Sequence, residues 1–264
     1  PSEASITLAS TATNTSVSIT PGAGFTLSSS SNTSSYDVIT NNYTGYTITL
    51  TSEDNDKTLV HTVDNTKVIS SINTPIAETD FVSTTSGLMN HFGIKPNKYY
   101  DTENNTTVDN TASSTILPAP GTTGLILDKT VAANSTANNY SIALGAMVDG
   151  TIPAGDYTRD TILTVIPNPI YYTINYDKNT DDTVTNLPTS QSADTTETSI
   201  TLSSLVPERA SYDFIGWCSA TTTTANNTDS CAGTIYNPEG EGTDLTYGID
   251  QTTANTTTLR AMWR

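Results

Sequence analysis

Positively charged residues are scarce in this sequence. The chain of 264 residues holds 10 Lys and Arg against 27 Asp and Glu, a formal net charge of -17, and its pI is near 4.1. Proteins that bind nucleic acid or anionic membrane surfaces use clustered Lys and Arg, and this chain has no such stripe. We therefore expect no nucleic-acid partner and no attraction to an anionic membrane.

Long apolar segments are also missing. No run reaches the roughly 18 apolar residues that indicate a transmembrane helix, and Pro1–Ser5 shows neither the basic nor the apolar part of a signal peptide. We therefore expect a mature chain from which a signal segment has been removed, with no membrane insertion.

Residue patterns typical of catalytic sites are lacking. The two histidines, His61 and His91, lie 30 residues apart, and there is no G-x-S-x-G motif. Neither cysteine has a histidine near it in sequence to serve as its base. The sequence predicts a protein without catalytic residues. Because glycosidase carboxylates have no sequence signature, a carbohydrate-binding or carbohydrate-active secreted protein stays an alternative.

Cysteine is limited to Cys218 and Cys231. A disulfide between them would contribute about 3 kcal/mol by closing a loop of this length. Two free thiols or a metal site are the alternatives, but two thiols without a nearby His fall short of a zinc ligand set. We favour the disulfide, which indicates an oxidising, extracellular location.

What the chain does contain is period-two alternation of apolar and polar residues, which predicts strands with one buried face. No segment of helical length keeps a 3.6-residue apolar stripe. We predict an all-β chain whose residues 1–168 form an antiparallel β-sandwich, either Ig/pilin-like or jelly-roll-like. The alternating segments are Ser5–Leu8, Ser16–Thr20, Tyr36–Thr40, Tyr46–Thr51, Thr58–Val63, Tyr140–Leu144 and Thr161–Ile166.

Two stretches break this pattern. Ile72–Leu127 is rich in Pro and Gly, so we expect long surface loops there. Aromatic residues in it, His91–Phe92 and Tyr99–Tyr100, are open to two interpretations, core packing or a sugar-binding face. Ile166–Pro169 carries two prolines, and a new strand begins after it, so we predict a second domain over residues 169–264.

The second domain resembles the Listeria and Bacteroides repeat, also called the internalin B-type repeat. The resemblance rests on Tyr172–Asp177, Val206–Trp217 and Leu259–Trp263, which correspond to its opening strand, its P-x-R-x-G-Y-x-F-x-G-W motif and its closing L-Y-A-x-W strand. Ser211 replaces the motif's Gly before Tyr212, and Arg260 replaces the Tyr of the closing strand. It implies a small β-grasp-like module that serves as a spacer or contact module of bacterial surface proteins. A module this small needs large aromatic residues and a staple, so we predict a core of Tyr172, Tyr212, Phe214, Trp217 and Trp263.

The first domain ends in Ile152–Val165, which looks like the last strand of bacterial pilin and spore-coat-like sandwiches. The domain order also looks like that of surface proteins from candidate-phylum bacteria. Both resemblances are analogies of fold, and a fold does not fix a function.

Two acidic clusters, Glu53–Asp56 and Asp177–Asp182, offer oxygen ligands for calcium. The second has them at alternate positions but lacks the Gly and the later Glu of a calcium loop. Both fall where a hairpin turn belongs, so we expect turns and no cofactor, with calcium as the alternative.

Together these observations predict a non-catalytic extracellular surface protein, either a structural subunit of a filament or pilus or an adhesin stalk. In the filament, copies join head to tail when an N-terminal strand adds to the next subunit's sheet. The apolar residues of the candidate strand are Ile6, Leu8, Val17 and Ile19. In the adhesin, the partner is a protein or glycan on a host or neighbouring cell.

Overall fold

The computed structural model describes residues 4–82, 84–85, 87–194, 198–219, 231–237, 245–250, 252 and 256–264. The chain divides into two compact units, one formed by Ser5–Asn168 and the other chiefly by Pro169–Arg264. The division falls within the Pro-Asn-Pro sequence of Ile166–Pro169. Each unit is described by itself.

Strands make up nearly all the regular structure of the first unit, so the all-β prediction is confirmed. Its helical turns are short: α1 (Asn110–Ser113) and the 3-10 turns Ser30–Asn32 and Glu78–Asp80. The strands are β1 (Ile6–Ala12), β2 (Thr26–Leu27), β3 (Ser34–Thr40), β4 (Tyr46–Thr51), β5 (Thr58–His61), β6 (Val68–Ser71), β7 (Ile76–Ala77), β8 (His91–Pro96), β9 (Lys98–Asp101), β10 (Thr106–Asp109), β11 (Thr115–Ile116), β12 (Leu125–Lys129), β13 (Asn134–Met147), β14 (Tyr157–Thr158) and β15 (Ile162–Pro167).

A large sheet with the order β1-β3-β13-β8-β6-β5-β14 faces a three-stranded sheet with the order β12-β4-β15. All neighbours in the large sheet are antiparallel except β6 and β8, which are parallel. Both sheets supply side chains to one core: Val38, Ile94, Tyr140 and Ile142 from the large sheet, and Ile48, Leu50 and Leu127 from the small one. The alternation in β3 and β4 thus buries one face of each strand, whereas β13 is buried on both faces from Ile142 to Met147. The finer choice between Ig/pilin-like and jelly-roll-like topology stays a prediction.

The expectation of long surface loops over Ile72–Leu127 is wrong. The segment contains β7 to β12, and β8 is a central strand of the large sheet. Phe92 is fully packed in the core, which answers the question left open for that residue. The sequence signal failed because β8 contains a Gly and ends in Pro, both of which usually interrupt strands. Gly93 is required there, since a Cβ on it would lie 2.5 Å from the Ile116 side chain.

A buried polar network crosses the core. The Tyr46 and Tyr140 hydroxyls lie 2.6 Å apart, and the Tyr140 hydroxyl donates to Asp128 Oδ2 at 2.7 Å. Thr107 Oγ1 donates to the other oxygen of the Asp128 carboxylate at 2.6 Å. Because each carboxylate oxygen accepts a hydrogen bond, this buried charge keeps the partners that burial requires.

The second unit is also all-β in its described residues. Its main sheet has the order β18-β16-β24-β21-β22, in which β16 and β24 are parallel. Two short pairs, β17 with β20 and β19 with β23, complete it. The strands are β16 (Tyr171–Asp177), β17 (Val184–Thr185), β18 (Gln191–Asp194), β19 (Ser199–Thr201), β20 (Glu208–Arg209), β21 (Phe214–Cys218), β22 (Ile235–Tyr236), β23 (Thr246–Gly248) and β24 (Thr256–Trp263).

Four of the five aromatic residues predicted for this unit's core lie there. Tyr172, Trp217 and Trp263 are buried, and Phe214 packs against them, with its ring 5.1 Å from that of Trp217 and 5.6 Å from that of Trp263. The prediction that Tyr212 lies in the core is wrong. Tyr212 is 42% exposed, because it lies in the turn after Ser211, whose φ of +68° directs the chain outward.

Tyr212 has a different role on the surface of this unit. Its ring covers the Arg209 guanidinium, with 3.7 Å between the guanidinium carbon and the ring centroid. Arg209 in turn donates to Asp182 from Nε and Nη2, at 2.8 and 2.5 Å. The Arg209 side chain is buried between this ring and the exposed Asp182 carboxylate, whose side chain is 59% accessible.

The predicted disulfide is confirmed. Cys218 on β21 is bonded to Cys231, 13 residues later, with 5.7 Å between the Cα atoms. The intervening segment 220–230 lies outside the described residues.

Candidate assembly site

The N-terminal strand β1 lies at the edge of the large sheet. It pairs with β3 in an antiparallel register from Ile6 opposite Thr40 to Ala12 opposite Ser35. None of its residues is fully buried. Backbone hydrogen bonds, together with partial packing of Ile6 against the shared core, hold the strand in place. Edge strands of this kind are sites where another chain can pair.

Leu8 shows how little β1 is covered. It lies opposite Val38, so both side chains point to the inner face of the sheet. Val38 is fully buried, whereas Leu8 is 43% exposed. The small sheet ends at β15, which pairs on one side only, with β4, in the described part of the chain. The inner face of β1 is therefore left partly open.

After β1 the chain continues as Thr13–Thr20, which has no regular secondary structure. Its burial nevertheless alternates like that of a strand: Thr15, Val17 and Ile19 are half-buried, and the residues between them are exposed. Ser16 N donates to Asn32 O at 3.0 Å, and Thr15 Oγ1 donates to Ile142 O at 2.8 Å. Within the described residues, the backbone amides of Val17, Ser18 and Ile19 form no hydrogen bond with the protein.

The Thr13–Thr20 segment covers an apolar part of the large sheet that the small sheet does not reach. Two cavities of about 510 and 570 Å³ lie between this segment and the large sheet. Both are partly open to solvent. The first is lined by apolar residues such as Phe92 and Ile142 and by polar ones such as Asn14 and Arg159, and the second is lined by Val17, Ile19, Leu59, Ile69 and Val148. We call this region, the two cavities together with the edge of β3 with which β1 pairs, the strand groove.

A turn at Pro21–Gly24 leads from this segment into β2. Ala23 N donates to Thr20 O at 3.0 Å, and Gly22 N donates to Val148 O at 2.8 Å. Gly22 and Gly24 have φ values of +79° and +90°, a backbone region that glycine adopts without strain. The turn is exposed except at Gly24.

The four candidate assembly residues lie in two places. Ile6 and Leu8 lie on the inner face of β1, and Val17 and Ile19 line the second cavity. Sequence reasoning did not identify the other side of the groove, where Tyr157–Thr161 crosses from β14 to β15. Only the tertiary fold brings that segment opposite Thr13–Thr20.

The acidic clusters lie at bends between strands, but the expectation of hairpin turns is wrong, because β4 and β5 belong to different sheets, β16 pairs with β18 and β24, and β17 pairs with β20. Asp54 of the first accepts a hydrogen bond from Arg159 at 2.8 Å, which lowers the pKa of its carboxyl. In the second, Asp177 Oδ1 accepts from Asn179 N at 2.8 Å, and Asp182 is bonded to Arg209. No group of three or more His, Cys, Asp or Glu side chains suited to a metal ion occurs in the part of the chain that the structure describes.

The histidines are used in local structure. His61 Nδ1 accepts from the backbone amides of Val63 and Asp64, at 3.1 and 2.9 Å. Its Nε2 therefore carries the proton and donates to Ala154 O at 3.3 Å. His91 Nδ1 lies 2.9 Å from Met89 O. These contacts hold turns in place.

Within the described residues, no helix has the length and apolar character needed to cross a membrane. Comparison with known proteins finds no matching family model, no matching curated protein and no matching solved structure.

Proposed function

We propose that this chain is a non-catalytic, extracellular structural subunit of a cell-surface filament, assembled head to tail through its N-terminal segment. The observation that carries the proposal is the state of β1, an edge strand with no fully buried residue and an inner-face leucine that is 43% exposed. A strand held mainly through its backbone can pair equally well with the same sheet edge of another copy.

Three further features support a surface location. The disulfide fits an oxidising compartment. The net charge of -17 keeps the protein soluble at high local concentration. The second unit retains the aromatic core of a small spacer module, which suits a subunit that extends the filament or presents a contact surface.

To test this proposal, the full-length protein is allowed to assemble, and the masses of the particles that form are measured by mass photometry. Leu8→Asp places a charge on the inner face of β1, and the matched control Thr7→Asp places the same charge on its outer face, opposite the uncharged Ile39. We expect the Leu8→Asp protein to remain monomeric and the Thr7→Asp protein to assemble like the wild type. Equal assembly of the two variants, or no assembly of the wild type, would contradict the proposal.

A second candidate function, adhesion to a neutral glycan, is favoured by another groove in the first unit. Its volume is about 520 Å³, and its lining includes Tyr99, Tyr100, Lys57 and Glu103. Tyrosine rings beside charged groups suit the apolar and hydroxyl faces of a sugar. A glycan array with the wild type and a Tyr100→Ala variant tests it, and we expect the variant to lose a signal that the wild type gives.

A further inference from the structure

We propose that Ser5–Thr20 is an exchangeable segment: it closes the strand groove of its own chain in the monomer and the strand groove of the next copy in the filament. This inference rests on the filament function proposed above. The exchanged part is the segment Ser5–Thr20, the site that receives it is the strand groove of the next copy, and the hinge is Pro21–Gly24.

The groove already carries the contacts that a second copy's segment needs. Thr15 Oγ1 bridges Ile142 O and Ser34 N, at 2.8 and 3.0 Å. At the other end of the segment, Thr40 Oγ1 donates to Ser5 O at 2.7 Å, and Ser5 N donates to Asn41 Oδ1 at 2.6 Å. Because the partners of the segment in these bonds, Ser34, Thr40, Asn41 and Ile142, lie in the folded body of the unit, the same contacts form whether the segment comes from the same chain or from another. A second copy is therefore the occupant that fits this groove.

The hinge limits how deeply the segment can enter the groove of its own chain. The chain must turn back at Pro21–Gly24 to reach β2, and the bonds of Ala23 to Thr20 and of Gly22 to Val148 fix where the segment ends. Val17 and Ile19 stay half-buried beside the cavity of about 570 Å³. A segment that arrives from another copy is free of this turn, so its two apolar side chains can move further into that cavity. Burying these side chains more deeply stabilises the exchanged state.

A copy can join another only after its segment has left its own groove, so release of the segment controls assembly. In a folded monomer the segment is tethered to its own groove at an effective concentration that is typically in the millimolar range. At micromolar protein concentration the closed monomer is therefore protected from joining other copies. Refolding at high concentration, when the groove is empty and other copies are near, favours exchange.

Cysteine pairs across β1 and β3 test the exchange in the full-length protein. Thr7 lies opposite Ile39 in the register, and both side chains are exposed. The described chain has no free cysteine to interfere, and cross-strand neighbours lie within the Cα separation that a disulfide allows. The test variant is Thr7→Cys with Ile39→Cys. The control is Thr58→Cys with Ser70→Cys, a facing pair on β5 and β6 away from the segment.

The two variants and the wild type are refolded at high concentration, oxidised, and run on a denaturing gel without reductant. In an exchanged filament, residue 7 of one copy faces residue 39 of the next. We expect the test variant to give a ladder in steps of 28.0 kDa that collapses on reduction, and the control variant to give the monomer band only. We also expect test-variant monomer that is oxidised while dilute to be locked closed and to assemble only after reduction.

The outcomes separate this inference from the function on which it rests. Filaments of the test variant that give only monomer bands overturn strand exchange but leave the filament function intact. A wild type that forms no filaments overturns both.

Discussion

Removing the Cys218–Cys231 bond is expected to destabilise the second unit selectively. The two cysteines are separated by 13 residues in sequence, and a cross-link that closes a loop of this size contributes about 3 kcal/mol by restricting the unfolded chain. Cys218 is fully buried on β21, between β22 and β24. Reduction leaves its thiol in this packed position, so the loss should come from the unfolded state with little change in the folded one.

The two tryptophans make the assay specific. The chain has two, Trp217 and Trp263, and both are buried in the core of the second unit. Tryptophan fluorescence during urea unfolding therefore reports on that unit alone, while tyrosine fluorescence and circular dichroism also report on the first. For a urea m-value of about 1 to 3 kcal/mol per molar, a loss of about 3 kcal/mol lowers the tryptophan midpoint by roughly 1 to 3 M.

The first unit serves as the internal control because it contains no cysteine. Its transition should be the same with and without reductant. A tryptophan midpoint that does not move on reduction would show that the disulfide does not stabilise the second unit. A shift of both transitions by the same amount would show that the two units unfold together and that the effect is not local.

Other substitutions test the core and the ion pair. Tyr140→Phe should cost about 1 to 3 kcal/mol, measured by urea unfolding, because it removes a hydrogen bond from the buried Asp128 carboxylate. Burial raises the pKa of Tyr46 and Tyr140 in the folded protein, whereas unfolded tyrosine ionises near pH 10. Stability should therefore be intact below about pH 10 and fall as the pH rises further, with phenolate absorbance increasing together with unfolding. Arg209→Lys should lower the stability of the second unit by about 1 to 2 kcal/mol, since lysine cannot reproduce the two-nitrogen contact or the aromatic stacking.

Period-two alternation was sufficient to predict the strands in which one face is buried. It identified β4 and β16, whose inward residues are apolar and whose outward residues are mostly Thr, Asn and other polar types. It also identified β15, although the outward residues of that strand include the exposed Ile162 and Ile166. It missed β8, whose central residues are buried on both faces, so that the polar half of the alternation is absent. The sequence of β8 therefore resembles a loop when it is considered alone.

The candidate site was predicted in part for a similar reason. The alternation in Ser16–Thr20 indicated a strand, and burial does alternate there, but the segment has no ladder partner in the described structure. Its surroundings come from Leu59, Tyr157 and other residues far away in sequence. No local pattern encodes a groove that is assembled from both ends of the first unit.

Tyr212 illustrates the limit of reasoning from residue type. A large aromatic residue in a small domain is usually part of the core, and the repeat resemblance implied the same role. The left-handed backbone at Ser211 and the adjacent Arg209 instead place the ring on the surface. The backbone conformation of a single turn residue cannot be predicted from composition or from the spacing of residue types.

A filament subunit should be recovered from its native source as fibres. Negative-stain electron microscopy of that material, together with mass photometry after dissociation, detects the fibres and gives the mass of the subunit. We predict regular fibres that dissociate into a single subunit mass. Particles that are monomeric before dissociation, with no fibres, would contradict this prediction.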